Sequence, residues 1–169
     1  MAYAILPPLL RQGVWHTTSP ERYASILLEG AILPEPSIPD AERWGTAGGP
    51  GLYPYTRYLG GVSLFDFSEF DPDAYEAAYP FSMWRKFVPK IADWSSAIWI
   101  RMDPNILGER YIDPAKLLGR WKAEGAFQRK LMPMIEAAHL GAVPSSAFSS
   151  VHEYRQSRWR ELPLSNVGN

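Results

Sequence analysis

One histidine and one misplaced carboxylate stand out as residues whose type and setting suggest chemistry. His16 closes the β-branched and aromatic stretch Val14-Trp15-His16-Thr17, just before Thr18-Ser19-Pro20-Glu21. Strand ends beside a helix N-terminus are places where backbone N–H groups and side chains converge on ligands. Glu136 stands inside the apolar run Lys130–Ala137. A carboxylate there costs several kcal/mol unless it is paired or lines a cleft. The plainer readings are a solvent-facing residue or a partner of Arg129 or Lys130. His139 reads as structural and His152 as a surface residue beside Glu153. His16 and Glu136 lie 120 positions apart, so only a fold brings them together.

The remaining inventory narrows the chemistry. There is no HExxH, GxSxG, Walker or GxGxxG motif. Gly48-Gly49-Pro50-Gly51 fails as a phosphate loop because its Pro lacks an N–H and no Lys-Ser/Thr follows. With no Cys, the chain has no disulfide framework, no Cys-based zinc site and no thiol nucleophile. No metal is expected. The 17 Lys+Arg against 18 Asp+Glu leave a net charge of −1, too little for bulk phosphate neutralisation. A nucleic-acid partner must therefore be held locally. At 46% hydrophobic and 169 residues, the chain has enough apolar mass for a core without staples. Its 16 Pro and 14% aromatics argue for ordered, irregular connections.

These residues need elements to position them. The spacing predicts a strand over Val14–Thr17 and a helix over 19–29. Thr18 or Ser19 caps it, Pro20 opens it, Tyr23, Ile26 and Leu27 face inward, and Gly30 ends it. Residues 31–61, with Pro34, Pro36, Pro39, Trp44 and Tyr53, Tyr55 and Tyr58, read as a long ordered binding loop. Gly61–Phe67 reads as a strand, 72–88 as a helix broken at Pro80, and Ala97–Met102 as a buried strand. Residues 114–124 read as a helix capped by Asp113 and stopped by Gly125. Lys130–Ala137 and Ala147–Tyr154 read as the last strands. Trp84, Trp94, Trp99 and Trp121 read as core. Residues 1–155 are expected to be a single domain and 156–169 a polar, frayed tail. The first 13 residues read as a strand or arm rather than a signal peptide, and no run reaches the ~18 apolar residues of a membrane span. A soluble, cytoplasmic protein without membrane contact is expected.

Three segments together resemble one family. Val14–Ile32, with His16-Thr17-Thr18, Ile26-Leu27-Leu28-Glu29-Gly30 and Ala31-Ile32, resembles the opening of ADP-ribosyltransferase-fold domains. Gly60-Gly61-Val62-Ser63-Leu64-Phe65 is similar to their second conserved strand. Ile135-Glu136-Ala137, running to Gly141-Ala142-Val143-Pro144, is similar to their catalytic-glutamate strand, with endings like those of DarT-type DNA ADP-ribosyltransferases. The resemblance covers residues 14–152.

The resemblance implies an α+β fold with a split, mostly antiparallel sheet, flanking helices, and NAD as substrate in the cleft. His16 would bond the nicotinamide ribose, the Thr17 backbone would hold the carboxamide, and Thr18 would belong to the cofactor-binding set. Ser63 would take the Ser/Tyr place, Tyr75 would stack on the nicotinamide ring, and Glu136 would be the catalytic carboxylate. Arg57 and Tyr55 would join the cofactor-binding set. The diphtheria-toxin-like branch has Tyr where Ser63 stands. The arginine-specific branch has Arg at the His16 place and an acid where Met134 stands, which argues against arginine as acceptor. The implied activity is ADP-ribosyl transfer to DNA, RNA or protein, as in toxins or phage-related effectors, with an antitoxin or immunity protein as partner. Two alternatives share the fold. One is an NAD-dependent RNA 2′-phosphotransferase, for which Arg11, Arg57 and Arg129 would hold the phosphate. The other is a non-enzymatic binding module.

Overall fold

The computed structural model describes residues 6–46 and 48–164. Local chemistry sets its first unit as expected. β1 (Val14–Thr18) runs into α1 (Pro20–Glu29), whose N-cap Ser19 accepts from the Arg22 amide at 3.3 Å. Gly30 ends α1 at φ 71°, a conformation that favours glycine. Tyr23, Ile26 and Leu27 of α1 pack on one face of the sheet, over Ile98, Ile100 and Val151.

The remaining elements follow in chain order: β2 (Ala31–Ile32), α2 (Tyr55–Tyr58), β3 (Gly61–Asp66), α3 (Pro72–Ala78), β4 (Ser96–Met102), α4 (Pro104–Leu107), β5 (Tyr111–Ile112), α5 (Pro114–Ala123), β6 (Glu136–Leu140), β7 (Val143–Pro144), β8 (Phe148–Arg155) and β9 (Arg158–Leu162). The architecture is α+β. A seven-stranded sheet in the order β5-β6-β3-β1-β4-β8-β9 carries antiparallel pairings throughout, and β2 pairs with β7 apart from it.

The sheet separates two kinds of packing. Its α1 face is aliphatic. Its other face is aromatic, with Trp15, Phe65, Phe67, Trp84, Phe87 and Trp99 packed together. β4 is buried on both faces from Ile98 to Ile100, as its unbroken apolar run implies. Trp84 and Trp99 are core, and Trp94 and Trp121 are half-buried against it.

Three expectations need correction. β6 begins at Glu136, not Lys130. Pro133 and the left-handed Met134 (φ 63°) make residues 133–135 a turn, which places Glu136 at a strand's first position. The helix expected over 72–88 ends at Ala78, and only a single 3-10 turn, Trp84–Lys86, follows Pro80. The polar tail expected from residue 156 is a hairpin strand through Leu162. Gln156 and Ser157 turn at φ 49° and 62°, and Trp159 packs against Tyr154. The N-terminal arm contributes a 3-10 turn, Pro8–Leu10, with Leu6 and Leu10 buried on the aromatic face. Its residues 1–5 and the tail's 165–169 lie outside the described residues. No helix among the described residues is long and apolar enough to cross a membrane.

Candidate active site

The strand order places β6, β3 and β1 side by side, so Glu136, Ser63 and His16 stand on three adjacent strands. β3 and β6 are joined over five residue pairs, from Gly61–Leu140 to Phe65–Glu136. β1 and β3 are joined over only two, Val14–Asp66 and Trp15–Phe65. Beyond Trp15 the ladder stops. In an antiparallel pair the bonded positions alternate, so the next bonded pair would be Thr17 with Ser63. Instead the His16 ring turns into the gap, and its Nδ1–H donates to the Ser63 carbonyl at 3.0 Å. That bond fixes the tautomer: Nε2 carries the lone pair. Burial holds the His16 pKa below its ordinary value. The Ser63 bond opposes this, and the Arg22 charge adds to the lowering. His16 therefore sits neutral at pH 7.

The other groups at the gap are also short of partners. The Thr17 hydroxyl is buried and, among the described residues, makes no hydrogen bond. Ser63, in the middle of a central strand, is exposed although Val62 and Leu64 beside it are buried. Strand alternation puts Thr17, Ser63 and Glu136 on the aromatic face and His16 on the other. The His16 ring meets β3 through the gap, at the Ser63 carbonyl.

Glu136 is 3% exposed, and among the described residues no cation pairs with it. The solvent-facing reading and the pairing with Arg129 or Lys130 both fail. Three neutral donors hold it instead. Thr56 Oγ1 donates to Oε2 at 2.6 Å, the Met132 amide donates to Oε1 at 3.1 Å, and the Ser63 hydroxyl is close enough to favour the charged form. The turn closes on itself, since the Glu136 amide donates to the Met132 carbonyl at 3.0 Å. Burial pushes the Glu136 carboxyl above its ordinary pKa, against the pull of these donors. The result is a carboxylate fixed in place, in low dielectric, with no counter-charge.

Other expected site residues are placed differently. Tyr55 is fully buried under α5, and its hydroxyl donates to Glu124 at 2.7 Å; it has no surface for a ligand. Tyr75 is 7% exposed and lies near Glu136, but Phe70 and Tyr79 pack on its ring and its hydroxyl bonds Ser82 at 2.8 Å. Burial pushes the Tyr75 phenol up to about 12; the Ser82 bond opposes this, and the neighbouring Tyr79 and Glu136 add to it. Thr18 is buried at the end of β1.

Arg57 is anchored, not free. Its Nε and Nη2 donate to Glu35 at 2.7 and 2.8 Å, and Nη2 lies 3.0 Å from Asp40. Its guanidinium lies 3.6 Å over the Tyr53 ring, while Nη1 is buried with no partner among the described residues. Arg43 also bonds Glu35, and Tyr53 and Thr46 bond Asp40. This cluster pins the loop 33–54. Arg129 spends Nη1 on the Pro50 and Tyr53 carbonyls. Arg57 and Arg129 thus serve the loop and do not converge on a phosphate site.

Thr56 is the site residue that sequence reasoning missed. It lies in a four-residue helix whose only local signal is the preceding Pro54. Among the described residues no three His, Asp or Glu come together to hold a metal ion. Two open surface recesses lie elsewhere, one beside Tyr58 and Arg129 and one beside Gln12 and Arg101. A scan of protein-family models finds none that matches the chain, and a search of curated proteins finds no matching relative.

Proposed function

We propose that this chain is an NAD-dependent ADP-ribosyltransferase of the His…Ser…Glu type, with the interrupted β1–β3 junction as its nicotinamide slot. One observation carries the proposal. The β1 ladder runs over four pairs toward β4 but stops after two toward β3, and at that break a neutral histidine turns in toward Ser63, with a buried carboxylate without a counter-ion on the next strand. Buried backbone N–H and C=O groups in the middle of a sheet are nearly always paired. The Thr17 amide and carbonyl, turned toward β3 by the alternation, match the donor and acceptor of a carboxamide. His16 Nε2, as an acceptor, suits a ribose hydroxyl.

The reaction breaks the C–N bond between ribose and nicotinamide. The bonding pair leaves with nicotinamide, which becomes neutral, and positive charge develops on the ribose as an oxocarbenium-like state. Glu136 stabilises that charge, and its setting without a counter-ion makes the interaction strong. An acceptor hydroxyl or amine then bonds C1′ and gives up its proton. Glu136 is covered in this structure, so NAD entry requires movement of side chains around it, Tyr75 among them.

The test is nicotinamide release from NAD by wild type and Glu136→Gln. Gln keeps the shape: its oxygen accepts from the Met132 amide and its nitrogen donates to Thr56. Loss of release by about 10²-fold or more is expected. Equal rates overturn the assignment.

A further inference from the structure

α2 is only four residues long, so few backbone bonds of its own hold it in place. Three of its side chains tie it to three other parts of the molecule. The Tyr55 hydroxyl donates to Glu124 at the end of α5, Thr56 donates to Glu136, and Arg57 bonds Glu35 and Asp40 of the loop 33–54. Its seat is Gly61, the first residue of β3. A Cβ there would stand 3.3 Å from the Cγ2 and the carbonyl oxygen of Thr56 and 3.1 Å from the His139 carbonyl oxygen, tighter than ordinary contact. The bare glycine lets Thr56 lie close on the sheet, where its hydroxyl reaches Glu136 at 2.6 Å.

Arg57 is the tie that faces the loop. Its Nε and Nη2 engage Glu35 side by side at 2.7 and 2.8 Å, a two-pronged contact that fixes direction as well as distance. The Arg57 side chain is 10% exposed and that of Glu35 is 57% exposed. The buried member of the pair thus belongs to α2 and the exposed member to the loop. Thr56 and Arg57 are consecutive residues of one short helix, so the group that holds the loop and the group that holds the carboxylate move together.

We propose that Arg57 and Thr56 are positioning residues for Glu136: α2 couples the attachment of the loop 33–54 to the direction in which the carboxylate is held. Neither residue touches a reacting atom. Arg57 acts through the helix, and Thr56 passes the effect to Oε2 by its hydroxyl. A molecule that loosens the Glu35 contact alters Glu136 without touching it. The kinetic consequence rests on the proposed role of Glu136 in breaking the nicotinamide bond; the coupling itself is a property of the free protein.

The test joins nicotinamide release from NAD to a carbon-13 NMR titration of the Glu136 carboxyl in the full chain, its signal assigned by Glu136→Gln. Besides Thr56, the Met132 amide and the Ser63 hydroxyl favour the charged carboxylate, and Tyr75 is the titratable group whose phenol feels it. The variants leave these three in place. Thr56→Val keeps the shape and is expected to lower kcat about tenfold, with KM for NAD within about twofold, and to raise the pH at which Glu136 ionises. Thr56→Ser is expected to restore both. Glu35→Ala separates coupling from simple charge. Removing a negative charge by itself makes another carboxyl ionise at lower pH, whereas a slackened Thr56 bond moves it higher. The higher value is expected, and Glu35→Ala added to Thr56→Val is expected to raise it no further. Asp40 stays 3.0 Å from Arg57 Nη2, so the Arg57 charge keeps a partner in Glu35→Ala, and thermal melts establish that each variant is folded. Wild-type kcat or an unshifted carboxyl in Thr56→Val, no rescue by Thr56→Ser, a lower or unchanged value in Glu35→Ala, or additive upward shifts in the double variant overturn the proposal. If wild type releases no nicotinamide and the carboxyl shifts as expected, the catalytic reading falls and the coupling stands.

Discussion

β1 has two neighbours and treats them differently. Toward β4 it is registered over four consecutive pairs, Trp15–Arg101 to Thr18–Ile98. Three of those β4 residues, Ile98, Trp99 and Ile100, are buried on both faces. Toward β3 it is registered over two pairs, after which a side chain replaces the ladder. The residue types agree with this division. The β4 side is apolar, whereas the β3 side collects His16, Thr17, Ser63, Thr56 and Glu136. The same strand thus serves stability along one edge and presents polar groups along the other. Functional groups that would be costly in a core sit beside a seam that the fold leaves unclosed.

Substitutions should separate the two edges. The largest stability effect belongs to the closed side: Ile100→Ala, at a fully buried position, should cost about 2–5 kcal/mol in urea unfolding. A cost near that of a surface substitution would show that the β1–β4 edge is not the stabilising one. Glu136→Ala should cost about 1–3 kcal/mol, because it leaves the Thr56 hydroxyl and the Met132 amide buried without an acceptor. Glu136→Gln should cost little, and comparing the two unfolding curves checks this.

The pH dependence should have opposite signs at the two site groups. The Glu136 pKa is raised in the folded state, so folding binds a proton that the unfolded chain releases. Its carboxyl therefore lowers stability as pH rises from the ordinary Glu range, about 4.3, through the raised folded value. Glu136→Gln should remove that fall in a thermal-melt series. His16 has a lowered folded pKa, so its share of stability is present above about 6.5 and is lost as pH drops toward the folded value. His16→Gln should flatten the curve over that window. The smallest effect is Ser63→Ala, which removes one of the three donors to Glu136 and should cost about 0.5–1.5 kcal/mol by melting.

How much of this was legible in the sequence depended on how local each cause is. The β1–α1 unit was legible because Ser19, Pro20, the Tyr23/Ile26/Leu27 spacing and Gly30 act within one or two turns. Glu136 was conspicuous because it stands alone among apolar residues, but its partner Thr56 was not, since it is 80 residues away. β9 was hidden for a physical reason. An edge strand with one face in solvent needs few apolar residues, and Arg158-Trp159-Arg160-Glu161-Leu162 carries little more than Trp159. Its turn, Gln156-Ser157, lacks the Gly or Asn that usually marks such hairpins. Nor does sequence distinguish Tyr55 from Tyr53 and Tyr58. A four-residue helix turns one into the core, stacks one on Arg57 and leaves one at the surface.

The open seam is tested most directly by amide hydrogen exchange at Thr17. Glu136→Gln is the form to use, so that bound NAD is not consumed. In the free protein Thr17 is expected to exchange much faster than Trp15, His16 and Thr18, although all lie in one central strand, and saturating NAD is expected to slow it selectively. Thr17 exchanging as slowly as its neighbours, or indifferent to NAD, would contradict the seam as the nicotinamide slot.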